Sequence, residues 1–434
     1  MSISRRQFLT GAALAATAST VGLSACSNSG GGSDSGDGTA TLAFGWWGNP
    51  VRNKNTNAAI AAYMKANPKV TIKAQPGEWS SYWDKLATQT AANNAPDIIQ
   101  MDMAYISEYG TKGALLDLSK YVNTDKFQAG TVDAGKVDGK LVGINAGINS
   151  LAFMVNPKVF KAAGVDIPDD KTWTWDDYKA IAAEVTKKSP SGTFGSASLF
   201  SDNLLQAWLR QNGKDEYTAD GKLGFTAQDI IPYLQMMLDF EKAKAIPGAS
   251  AISEDQGKST DQNMFATGKV GIALNWSNQL TTVTESVGSE IKMLRYPTMT
   301  GNVADRKAWY KASMLWSASS RTKYPEAAGK LIDWWVNSTE AANINLDERG
   351  LPANTEIVKE ITPKLTDTGK VAAQFIADIK PELGDTPVAP PPGAGNLGDV
   401  LNRYQTDLLF GRININDAAT KFVDEVNSNI QQAS

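Results

Sequence analysis

Apolar residues recur along the chain with first a strand period and then a helix period, from about residue 39 onward. Residues 39–44 alternate apolar and polar like a first strand, and Gly45-Trp46-Trp47-Gly48-Asn49-Pro50 breaks it. Over 56–67, Ile60, Tyr63 and Met64 mark one helical face until Pro68 stops it. Residues 70–75 form a second strand. A helix then opens at Ser80 or Ser81 with Tyr82 and Leu86 inward, leaving Glu78 and Trp79 on the loop before it. With 97–101 as a third strand, the order strand, helix, strand, helix, strand begins a doubly wound α/β sheet.

The middle of the chain continues in kind. Val137-Asp138-Gly139-Lys140 turns into a strand over 141–144, and the unbroken apolar run 151–155 suits a strand covered on both faces. Thr174-Trp175-Asp176-Asp177 reads as a capping box with Asp in the Glu place, starting a helix to about 187, with Trp173 and Trp175 as packing residues. Helices are expected at 204–210, 226–244 and 262–267, and strands at 270–274, 291–294 and 312–318, the last with Trp309, Tyr310 and Lys311 at its mouth. Pro325 opens a helix whose inner face is Ala328, Leu331, Ile332 and Trp335. The C-terminal third is helical at 369–379, 397–410 and 417–430.

Length changes the picture first: 434 residues exceed what one core serves, so two lobes are expected. With 42% hydrophobic and 20% charged residues the chain is ordinary globular material, and its net charge of -4 gives no nucleic-acid surface. There is no histidine, which removes imidazole bases and the commonest metal ligand, and a single cysteine, Cys26, which removes intramolecular disulfides and cysteine metal clusters. Any site must be built from carboxylates, amides, hydroxyls and aromatics, with no cofactor or metal.

The first 26 residues stand apart from the fold. Ser4-Arg5-Arg6-Gln7-Phe8-Leu9, a weakly apolar run over 11–22 and Leu23-Ser24-Ala25-Cys26 read as a twin-arginine export signal joined to a lipobox. Cys26 is then the lipidated first residue of the mature chain, and 27–38, rich in Gly, Ser and Asp, is a flexible tether. The expected location is the extracytoplasmic face of a bacterial membrane.

Two stretches point to a cleft. Residues 95–102 and 139–150 read as short buried strands ending in polar or Gly-rich loops, the edge at which open α/β sheets hold ligands. Asp102 and Asn149 are its expected polar lining. Adjacent Trp46 and Trp47 point to opposite sides of an extended chain, so one is expected to meet solvent or ligand. Trp276, ending the 270–274 strand, repeats the placement of Asp102.

Trp79 to Gln89 followed by Ala95-Pro96-Asp97, then Asp138-Gly139-Lys140, Asn156, Trp173 to Tyr178, Gly268-Lys269-Val270-Gly271 and Gly350-Leu351-Pro352-Ala353-Asn354 resemble, in order, the family 1 extracellular solute-binding proteins. These are the lipoprotein or periplasmic receptors of carbohydrate ABC importers. The resemblance implies two α/β lobes, 39–149 with 297–348 and 150–296 with 349–434, joined by hinge crossovers around a ligand cleft. It also implies a non-enzymatic, monomeric receptor that captures an oligosaccharide for permease subunits driven by a separate ATPase. No Gly-x-x-x-x-Gly-Lys-Ser/Thr loop occurs in this chain.

The ligand-binding residues implied are Trp47, Arg52, Asp102, Asn149 and Trp276, then Trp79, Asp202, Asn203, Trp208, Tyr310 and Asn396. Planar polar groups with aromatic platforms match the hydroxyls and apolar face of a sugar, and Arg52 leaves an acidic sugar open. The alternatives are a receptor of the same fold for another solute and a secreted glycoside hydrolase. The latter needs facing carboxylates, whereas Asp97 and Asp102 stand roughly 17 Å apart on one strand.

Overall fold

The computed structural model describes residues 39–258 and 262–433. The expected export segment (1–26), the lipidated Cys26 and the tether (27–38) lie outside the described residues. The opening pattern becomes strand β1 (Ala40–Trp47), helix α1 (Pro50–Ala66), strand β2 (Val70–Gly77), helix α2 (Trp79–Ala91), strand β3 (Ile98–Met101) and helix α3 (Met103–Thr111). Asn49 caps α1 by accepting the Arg52 amide at 2.8 Å, with Pro50 in the first turn, so the helix starts earlier than its apolar face indicates. The unforeseen α3 is started by Asp102, whose Oδ1 accepts the Ala104 amide at 3.0 Å.

The first sheet runs in the order β2, β1, β3, Leu315–Ala318, Ile144–Asn145; its first three strands are parallel and the last two are added antiparallel. One face carries Leu42, Phe44, Trp46, Trp316 and Trp335, the other Trp47, Tyr82, Leu86, Ile99 and Met101. Trp46 and Trp47 are therefore both buried, at 0% and 7% exposure, because both faces of β1 are covered. Asp97 locks the entry to β3: its carboxylate accepts the Ala43 amide at 2.8 Å and the Thr322 hydroxyl at 2.5 Å.

The second sheet runs Lys292–Leu294, Leu151–Val155, Val270–Trp276, Phe194–Ser196. The capping box forms as expected: Thr174 Oγ1 accepts the Asp177 amide at 3.1 Å and Asp177 Oδ2 accepts the Thr174 amide at 2.9 Å. Residues 262–267 are turns, not a helix. Asn263 holds them by accepting the Ala266 amide on its side chain, a local bond that competes with helix continuation. Among the described residues no helix is long and apolar enough to cross a membrane.

The lobes meet in a small ribbon. Ile148–Asn149 pairs antiparallel with Lys311–Ala312, and Ile148 also exchanges both backbone bonds with Leu351, at 2.6 and 3.0 Å. The run expected as one strand, 312–318, is thus divided between this ribbon and the first sheet. A Cβ at Gly147 would lie 2.0 Å from the Arg349 carbonyl oxygen, so only glycine admits this close approach.

Two segments near the lobe boundaries expected from the sequence are fixed by long-range contacts. Residues 297–308 pack with the second lobe: Thr298 bridges Thr174, and the buried Arg306 donates to Glu382, to the Tyr296 carbonyl at 2.8 Å and to the Asp170 carbonyl at 2.8 Å. Arg295 joins the network through Asp170 and Glu382, at 3.0 and 2.7 Å. Residues 353–355 return to the first lobe, where the Ala353 carbonyl accepts from Gln128 at 2.9 Å and the Thr355 amide donates to Lys126 at 3.0 Å. Removing one partner of a buried charge network strands the rest, so Glu382→Ala is expected to cost about 3–5 kcal/mol. Urea unfolding of the variant checks this; a midpoint equal to that of wild type would show that the network is dispensable.

Candidate functional site

Helical periodicity decides which polar side chains reach the space between the lobes. Ser201 caps the helix Asp202–Gln211, which buries Leu204, Leu205 and Leu209 and leaves Asp202, Asn203 and Gln206 outward. In Leu397–Leu409 the buried side is Leu397, Val400, Leu401 and Leu408, and Gly398, Asp399 and Asn402 face away. Opposite them stand Asp102 and Tyr105 at the start of α3, and Trp79 at the start of α2. Trp309 to Ala312 from the ribbon form the floor. Together these groups line a cavity of about 400 Å³.

Its apolar wall is a packed set of rings. Trp83 stacks on Tyr105 with centroids 4.0 Å apart, and Trp79 stands edge-on to Trp47 and Trp83 at 5.0 and 5.5 Å. Trp79 itself is 47% exposed, a large fraction for a tryptophan held this firmly. It is the first residue of α2 rather than a loop residue, which fixes its direction.

The polar wall is acidic. Asp202 Oδ1 accepts the Asn203 amide and side chain at 2.8 and 2.9 Å, and a Cβ at Gly398 would lie 3.2 Å from Asp202 Oδ2. Burial raises the Asp202 carboxyl above the ordinary range, opposed by the Asn203 amide and the Lys311 charge. Glu216 is held by a small hairpin in which Tyr217 pairs with Leu223 and Arg210 grips the preceding Asp215 at 2.8 Å. Burial, then the Asp202 and Asp215 charges, push Glu216 well above the usual carboxyl value, against Arg210. Glu216 Oε1 and Asn402 Oδ1 are buried acceptors without a hydrogen-bond partner.

Of the residues singled out from the sequence, Trp79, Asp102, Asp202, Asn203 and Tyr310 line this cavity. Tyr310 is tethered there through its hydroxyl, which donates to the Ile376 carbonyl at 2.8 Å. Trp47 stands behind Trp79. Trp276 lies beneath Lys311, whose ammonium is 4.9 Å from the indole centroid. Asn149 is in the ribbon, where its Nδ2 donates to Asn278 at 3.1 Å. Arg52 is paired with Glu348 at 3.0 Å, Trp208 packs against Trp175 and Tyr233, and the exposed Asn396 accepts from Asn429. None of these last six is on the cavity lining.

Tyr105, Gln206, Glu216, Asp399 and Asn402 are cavity residues that the sequence pattern did not single out. The polar side of 397–410 was a usable signal for Asp399 and Asn402. Glu216 had none, since it lies in a turn-rich stretch where acids are ordinary.

Because Glu216 binds a proton more readily in the folded chain, ligand-free stability is greatest below the ordinary carboxyl value and falls as pH rises toward the raised one. Glu216→Gln removes that loss. Its unfolding temperature relative to wild type should rise as pH climbs through the range from the ordinary carboxyl value upward. A difference between the two proteins that stays flat across this range would mean that Glu216 ionises freely.

Comparison with known proteins gives a consistent set. The family model described as bacterial extracellular solute-binding protein matches residues 58–373. The chain is 24% identical over 439 residues to the maltodextrin-binding protein MdxE of Bacillus subtilis, covering 97% of each. A solved family 1 extracellular solute-binding protein from Alicyclobacillus acidocaldarius is similar at 26% identity and a TM-score of 0.69, over 91% of this chain and 99% of that one. An ABC substrate-binding protein of Listeria monocytogenes, solved with cycloalternan, shares the fold with a TM-score of 0.75 at 20% identity, over 91% and 99%.

Proposed function

The chain belongs to the bacterial extracellular solute-binding proteins, and from that premise we propose that it captures a short oligosaccharide between its lobes and hands it to the permease of an ABC importer. The observation that carries this reading is the cavity between the lobes, with an exposed tryptophan on one wall and carboxylates and amides on the other. A sugar ring offers an apolar face to Trp79 and hydroxyls to Asp102, Asp202, Asn203, Gln206 and Asn402. Maltodextrin, for which the Bacillus subtilis relative is named, and cycloalternan, bound in the Listeria monocytogenes structure, are of the same class.

In this reading Trp47 holds Trp79 upright and Trp276 holds Lys311, so both act through a neighbour. Arg52, already neutralised by Glu348, has no part in ligand binding. The chain works as a receptor, not an enzyme, and the ATPase that drives transport is a separate protein. Export as a lipoprotein, with Cys26 acylated, would keep a monomeric receptor beside its permease.

Isothermal titration of the chain from residue 39 onward against short oligosaccharides tests this, with the sugars recovered and analysed afterwards. Saturable binding of intact sugar is expected. Trp79→Ala should weaken it about tenfold, the equivalent of about 1.4 kcal/mol, while Arg52→Ala leaves affinity unchanged. Cleavage of the sugar at catalytic rates would replace the receptor with an enzyme, and equal weakening by both variants would move the site toward Arg52.

A further inference from the structure

The charges around the cavity do not balance. Asp102, Asp202, Glu216 and Asp399 line it, and the one cationic side chain on its lining is Lys311, drawn back over the Trp276 ring. Arg210 stands behind Glu216 and is already committed: it donates to Asp215, to the Lys307 carbonyl at 3.0 Å and to the Asp385 carbonyl. Arg52, which in the sequence left an acidic sugar open, is paired with Glu348 in the first lobe.

The hydrogen-bonding capacity is lopsided in the same sense. Glu216 Oε1 and Asn402 Oδ1 are buried acceptors with no donor. An acceptor shut away from water without a partner is costly, and a carboxylate more so than an amide. Elsewhere in this chain buried acids face arginine: Glu382 meets Arg306 and Arg295, and Glu348 meets Arg52 and Arg349. In the cavity, among the described residues, no arginine pairs with Asp202 or Glu216, and Lys311 is the one cation on the lining against four acids.

Resting on the receptor reading above, we infer that the ligand carries a protonated amine, so that the sugar is an amino sugar whose ammonium sits against Asp202 and Glu216. An ammonium brings several donors and one positive charge in a single small group, which answers both deficits together. Neutral hydroxyls satisfy acceptors but leave the charge uncompensated. A uronate adds to it. The raised Glu216 and Asp202 carboxyls fit this reading, since a bound cation lowers both and drives a proton out on binding.

The test is calorimetry with a β-1,4-linked glucosamine disaccharide, its N-acetylated counterpart and cellobiose, three ligands that differ mainly in the group at one ring carbon. A maltose and maltotriose pair serves as a neutral set with another linkage. Titrations are run in two buffers of different ionisation enthalpy. The expected result is that the amine-bearing disaccharide binds at least about tenfold tighter than any neutral sugar, with proton release. Glu216→Gln and Asp202→Asn should each shrink that ratio, while their thermal unfolding confirms that the chains are folded.

Neutral sugars that bind as tightly as the amine, or variants that weaken both alike, would overturn the cationic ligand and leave the receptor intact. Absence of binding by every sugar, with both lobes folded, would overturn the sugar-receptor reading and this inference with it.

Discussion

Ile148 holds the molecule together as a two-lobed object. Its amide and carbonyl are exchanged with Leu351, and on its other side the same short segment pairs with Lys311 and Ala312. Three passages of the chain between the lobes are thereby bound at one level, and Gly147 lets the Arg349 backbone come close enough to complete the ribbon. Trp309 to Ala312, which run into the ribbon, form the floor of the cavity. Its walls are set on α2 and α3 in one lobe and on the helices beginning at Asp202 and Leu397 in the other.

Charge is used in two distinct ways on either side of that line. Arg306 with Glu382, Arg295 with Asp170 and Arg52 with Glu348 are pairs that fasten segments distant in sequence, and Arg306 is 1% exposed. Arg349 is the extreme case. Burial draws its guanidinium down to about 9, yet Trp316 and Trp335 lie 5.0 and 5.8 Å away and Gln100, Asn345 and Thr56 accept its donors. Such full coordination converts a desolvated charge into a fixed structural joint. The acids of the cavity are held differently: Asp202 accepts from Asn203, while Glu216 Oε1 has no hydrogen-bond partner among the described residues.

Much of this was legible in the sequence, and what was not has identifiable physical reasons. Strong alternation and capping signals placed β1 to β3, the Thr174 box and the helix after Pro325. The Asp138-Gly139 turn formed with both residues at positive φ, 49° and 76°. Reading one of Trp46 and Trp47 as meeting solvent or ligand assumed a sheet with a single covered face, whereas both faces are packed. Which lobe the segments around Arg306 and Asn354 join depends on their bonds to Glu382 and Asn337, contacts between distant residues that local periodicity does not carry. Trp79, Asp102, Asp202, Asn203 and Tyr310 stand at ends of elements, where sequence pattern is informative. Glu216 stands in a turn whose importance comes only from what the fold brings near it.

The cleft is narrow because the segment after Pro390 reaches across it. Gly395 comes so close to α3 that a Cβ there would lie 3.0 Å from the Ala104 carbonyl oxygen and 3.4 Å from the Tyr105 ring. A contact made by a glycine buries little apolar surface, and so contributes little to holding the lobes together by itself. A hinge responds to a ligand only through contacts that differ between its open and closed forms. Groups that meet a ligand from one lobe alone add affinity without closing anything. Asp102 and Trp79 on one side, with Asp202, Glu216 and Asn402 on the other, are separated by the cleft and joined only through what lies between them. A ligand that met Glu216 and Trp79 together would bridge the two walls, and only a bridging contact of that kind could favour a closed form over an open one.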